Sequence, residues 1–203
     1  AVHQAFLPNG FPGALTSTPF KLDPVRAKAI FAKADIKDLE IDLDLINSPR
    51  FMDMAQNMQG SMAKAGIKLN LLPGTGSQVI TRYRARKHEA MLLYWGPDFF
   101  DPHSNAKAFA FNVDNSDAAY QSTTTWRNGW HIPELSSKTM AALKEVSPAK
   151  RAAMYVSLQQ EVQAKSPIIM TFQDKAQAAM RSNVHGYIQG SVPDLVRYDG
   201  VTK

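Results

Sequence analysis

Between Leu39 and Leu71 the apolar period changes twice. Leu39, Ile41, Leu43 and Leu45 alternate with Glu40, Asp42 and Asp44, which predicts a strand with one face in water. Behind a Ser48-Pro49 start, Phe51, Ala55, Met58, Met62 and Ala65 then recur at helical spacing, and Gly66 predicts the stop. Ile67, Leu69 and Leu71 restore the alternation. A strand, helix and strand of this length predict parallel pairing. The turn Pro73-Gly74-Thr75-Gly76 leads to a helix over 77–87 and a third strand, Met91 to Trp95, which Gly96-Pro97 cuts off.

The flanks are less regular. Residues 1–22 hold Pro8, Gly10, Pro12, Gly13 and Pro19, and they predict an extended connector with no part in the core. Asp23-Pro24 opens a helix whose inner face carries Ala27, Ile30, Phe31 and Ala34. Past Pro102 a polar stretch is anchored by Phe109 and Phe111. Pro133 and Ser147-Pro148 start a helical pair, with Leu135, Met140 and Leu143 inside the first helix and Met154, Tyr155, Leu158 and Val162 inside the second. Ser166-Pro167 ends the pair. Ile168 to Phe172 predicts a short strand, Ala176 to Met180 its continuation, Val184 to Tyr187 a turn, and the last residues another connector.

Composition narrows the function classes. In 203 residues, 44% are hydrophobic and 20% charged, which is globular, and no apolar run approaches a membrane helix. The net charge of +5 is scattered; its densest cluster, Arg82, Arg84, Arg86 and Lys87, interleaves only Tyr83, a poor pattern for nucleic acid. The absence of cysteine excludes disulfides, thiolate catalysis and sulfur-ligated metals. The five histidines fall in no paired spacing, and the one set with any metal-binding prospect is Asp98, Asp101 and His103. Gly74 and Gly76 lack the rest of a phosphate loop, and there is no Gly-x-Ser-x-Gly elbow. No cofactor is expected. Asp98 and Asp101 form the one acid pair available to a hydrolase-like mechanism, the alternative to a binding protein or a weak polyanion-binding module.

Recognition chemistry concentrates in two places. Tyr94 and Trp95 end the third strand and Asp98 follows it, where an open α/β sheet presents its ligands, although an ordinary surface turn would use the same residues. Trp126, Arg127 and Trp130 share a polar loop, where the tryptophans either face a ligand or plug the loop's base.

Taken in order, five motifs resemble the bacterial extracellular solute-binding proteins of ABC importers, the peptide and nickel family (family 5). They are Asp23-Pro24 with Ala27 and Lys28; Ala65-Gly66-Ile67-Lys68-Leu69; Trp95-Gly96-Pro97-Asp98; Asp101-Pro102; and Arg151, Tyr155 and Gln159-Gln160 followed by Ser166-Pro167-Ile168-Ile169. Thr124 to Trp130 finds no counterpart in the family's pattern. The resemblance implies an α/β, type II periplasmic-binding lobe, with a mixed, mainly parallel sheet flanked by helices. It implies a carboxy-terminal lobe over 21–188, bounded by hinge segments at 1–20 and 189–203 and lacking its amino-terminal lobe. It implies a periplasmic, non-catalytic protein with a peptide-like ligand and a membrane permease as partners. In that family the aspartate at the place of Asp98 meets the ligand's ammonium group and the tryptophan at the place of Trp95 lines a cleft that closes by hinge motion.

Overall fold

A computed structural model describes residues 1–190 and 195–203. Residues 191–194, part of the expected return segment, lie outside the described residues. The chain divides into two compact units: residues 20–95 form one, and residues 1–19 with 96–203 form the other. The chain crosses between these units after Pro19 and after Trp95.

The contiguous unit runs α1 (Pro24–Lys33), β1 (Glu40–Ile46), α2 (Pro49–Ala63), β2 (Lys68–Gly74), α3 (Gly76–Arg84) and β3 (Ala90–Leu92). Its sheet has the order β2-β1-β3 and is parallel throughout, with Leu43 opposite Leu71 on one side and Ala90 on the other. Leu43, Leu45 and Leu69 pack beneath Phe51 and Ala55 of α2, as their periods predict. The acidic face of β1 is drier than expected. Asp44 is buried because Arg82 of α3 reaches it at 2.9 Å, so the central strand is covered on both sides. Pro73 and Gly74, read as a turn, extend β2 instead; β2 is an edge strand, where proline's missing N–H costs no ladder bond. β3 ends at Leu92, three residues short of the expected Trp95.

The discontinuous unit holds α4 (Pro102–Phe109), α5 (Thr124–Arg127), α6 (Pro133–Lys144) and α7 (Pro148–Lys165). Its core corrects the reading of residues 1–20 as a connector outside the core. Phe6, Leu7 and Phe11 are buried against Phe109, Leu135, Tyr155, Leu158 and Val162. Polar clamps hold that segment: Gln159, fully buried on α7, accepts from Leu7 N–H at 3.3 Å and donates to Gly13 O at 2.6 Å, and Asn105 donates to Phe6 O at 2.6 Å. Gly13 itself is required, since at φ +78° it lies so close to α7 that a Cβ would stand 2.6 Å from Ala152 O.

Other expectations shift here as well. The polar stretch from Pro102 contains two short α-helices and a 3-10 turn at Asp117–Ala119, and Phe111 is only half-buried. On α6 the inner stripe is Leu135, Ser136, Thr139 and Ala142, leaving Leu143 exposed. Ile168 to Phe172 is no strand: among the described residues only the bridge Val2 to Phe172 pairs it, and Ile169 is exposed. Ala176 to Met180 forms no element and is exposed.

Candidate functional site

The loop after Gly96 ends in a clamp. Asp101 caps α4, its Oδ1 accepting from His103 N–H at 2.7 Å. Arg151 of α7 grips the same carboxylate with two bonds, Nη1 to Oδ2 at 3.0 Å and Nη2 to Oδ1 at 2.9 Å. The guanidinium is held from behind, donating to Tyr155 Oη at 3.2 Å and Ala142 O at 3.3 Å. Partial burial pushes the Asp101 carboxyl up, but Arg151 and the His103 N–H outweigh it and hold the group below the usual carboxylate range. The Asp101 hydrogen bond raises Arg151 in turn. Burial pushes His103 down despite the nearby Asp101 charge, and its Nδ1 is buried without a hydrogen-bond partner among the described residues.

Asp98, three residues earlier, stands in a different situation. It is exposed, and among the described residues its carboxylate enters no ion pair or hydrogen bond. The two acids, a pair by residue chemistry alone, stand apart: one is consumed in a clamp and the other is presented to solvent. Among the described residues no three His, Asp or Glu side chains gather as metal ligands, so Asp98, Asp101 and His103 do not form the facial set.

At the end of the contiguous unit, Tyr94 is 73% exposed, with its ring 6.3 Å from Phe51, and Trp95 is 44% exposed. The second candidate loop folds inward. Thr123 caps α5 by accepting from Trp126 N–H, and Trp126 is buried with its indole N–H donated to Ser116 O at 3.0 Å. Arg127 closes α5 half-buried. Trp130 is half-buried against the core and its carbonyl accepts from Asn112. Burial of that kind is what a loop plug requires. The clamp of Asp101 by Arg151, backed by Tyr155, is what residue-level reasoning missed. Its signal was present, because Arg151, Tyr155 and Gln159 recur every four residues on one face of α7.

The family profile described as "Bacterial extracellular solute-binding proteins, family 5 Middle" matches residues 1–117, more than half of the chain. The chain belongs to this family. Among the relatives of this family 5 protein, di/tripeptide-binding protein 4 of Pseudomonas aeruginosa is 28% identical over 171 residues, covering 82% of this chain and 31% of the relative. A dipeptide-binding protein of the same species is 27% identical over 180 residues, covering 85% of this chain and 32% of the relative. The chain thus spans about a third of the length of the curated relatives it matches. The fold agrees with solved structures. HbpA2 from Haemophilus parasuis superposes with a TM-score of 0.78 at 20% identity, over 100% of this chain and 40% of that one. The periplasmic binding protein DppA from Helicobacter pylori, in complex with peptide STSA, gives 0.67 at 18% identity, over 84% of this chain and 33% of that one. The expected family and α/β periplasmic-binding fold are both borne out.

Proposed function

We propose that this family 5 chain is the ligand-binding lobe of a periplasmic substrate-binding protein that delivers peptides or peptide-like amines to an ABC importer permease. In this reading it binds without catalysis and works together with an amino-terminal lobe. Asp98 is the residue that meets the ligand's α-ammonium group, and Tyr94 and Trp95 supply aromatic surface next to it in the sequence.

The observation that carries the reading is the division of labour between the two acids. A carboxylate already gripped by a guanidinium has little left for a ligand cation, whereas an exposed, unpaired one is free to take a cation out of water. The same division weighs against a hydrolase, because a paired-carboxylate mechanism would need Asp101 free to exchange protons. The names of the relatives, which are di- and tripeptide-binding proteins, favour a short peptide.

In the full-length protein, Asp98→Ala is expected to weaken binding of a dipeptide with a free amino terminus by about 2–5 kcal/mol, the range for stripping one partner from a desolvated charge pair. Titration calorimetry checks it. Unchanged affinity in the variant removes the role assigned to Asp98.

A further inference from the structure

We propose that Arg151 is a positioning residue for ligand binding, acting through Asp101 to hold the backbone that presents Asp98. The inference rests on the reading of Asp98 given above and adds a residue that lies 53 positions further along the chain, on another element.

The loop has several ties behind Asp98. Asp101 N–H donates to Phe99 O at 2.9 Å, which closes a tight turn immediately after Asp98. Phe100 lies 4.5 Å, ring to ring, from the buried Phe11. The Asp101 carboxylate then takes both arms of the Arg151 fork while capping α4. Three residues of chain span at most about 10 Å, so fixing Asp101 restricts where the Asp98 carboxylate can go. Arg151 is suited to this because its planar fork fixes the direction of its partner as well as the distance, and because Tyr155 and Ala142 fix the fork in turn. An acceptor held in place before the ligand arrives spares the ordering cost of binding. This role accounts for two of the sequence motifs, Asp101-Pro102 and Arg151 with Tyr155, that the ammonium partner alone leaves without a function.

The test uses the full-length protein and two probes, a dipeptide with a free amino terminus and its N-acetylated form. Arg151→Gln removes the fork. Asp101→Asn weakens the same link from the other side and, since asparagine is an equally good helix cap, leaves α4 capped. Each variant is expected to raise Kd for the free-amine dipeptide by roughly tenfold, the scale seen when a supporting shell is loosened, with little change for the acetylated one. Combining the two substitutions should add little, because they break one link. Equal losses for both probes indicate general damage to the lobe and overturn the proposal, as does a wild-type Kd for the free amine in either variant. If Arg151→Gln does not fold, Asp101→Asn decides alone. A loss in Asp98→Ala beside a wild-type Kd in Asp101→Asn defeats the positioning role only, while unchanged binding in Asp98→Ala defeats both.

Discussion

Asp101 and Asp98 are the same residue type in the same loop, yet they are set apart by what stands behind each. Asp101 has Arg151, and the consequence is measurable through pH. Its carboxyl lies below the usual range in the folded protein, so near the acid end the unfolded chain binds the proton more readily. The pair therefore contributes stability above the unfolded-chain value of about 3.9, and that contribution is lost as pH falls through the lower folded value. With the Asp101 side chain 36% exposed, solvent screening keeps the effect of Asp101→Asn to about 1 kcal/mol at pH 7. Urea denaturation should show that deficit at pH 7 and a progressively smaller one below about pH 4. Residue chemistry alone could name both acids as candidates, and only the family resemblance set Asp98 ahead of Asp101. Nothing within the loop reports an arginine fifty residues away; it becomes visible only when α7 is laid against α4.

The elements were most legible where the apolar period is strong. β1, α2 and β2 appear with their inner residues as expected, since Leu43, Leu45, Phe51 and Leu69 have no other way to leave water. Reading failed where buried positions are polar. On α6, Ser136 and Thr139 lie inside because their hydroxyls reach Ile132 O at 2.6 Å and Ala110 O at 2.8 Å, so a hydrophobic stripe drawn through Met140 and Leu143 misses the true face. α4 was hidden in the same way by Asn105, buried through its bond to Phe6 O. The glycines on either side of Thr75 pose the reverse case, a suggestive pattern at a turn with a structural purpose. Thr75 accepts from Gln78 N–H at 3.3 Å and Gln78 Oε1 accepts from Thr75 N–H at 2.9 Å, a reciprocal capping box. Thr75→Ala is expected to cost about 1 kcal/mol in a urea melt, because it orphans one amide at the helix start.

For the whole molecule, the division into two units was not legible, because residues 1–19 have the composition of a linker and yet supply core. Their apolar residues, Phe6, Leu7 and Phe11, are too few and too broken by proline and glycine to show a period, and their partners lie on α4, α6 and α7. The contiguous unit is different: its core residues all lie between β1 and β3. Residues 20–95 expressed alone are therefore expected to keep the parallel sheet and to unfold in one cooperative urea transition, followed by circular dichroism. A non-cooperative, gradual loss of signal would show that this unit depends on the rest of the chain.

The clamp of the early segment by Gln159 also bears on how the chain is made. Leu7 and Gln159 are 152 positions apart, so Phe6, Leu7 and Phe11 emerge from the ribosome long before α7 exists to cover them. The insertion between Phe20 and Trp95 has all its partners nearby and can fold while synthesis continues. The discontinuous unit closes only once Gln159 and Val162 have been made, and until then its first residues form an adhesive apolar stretch, the kind of surface that holding chaperones take up.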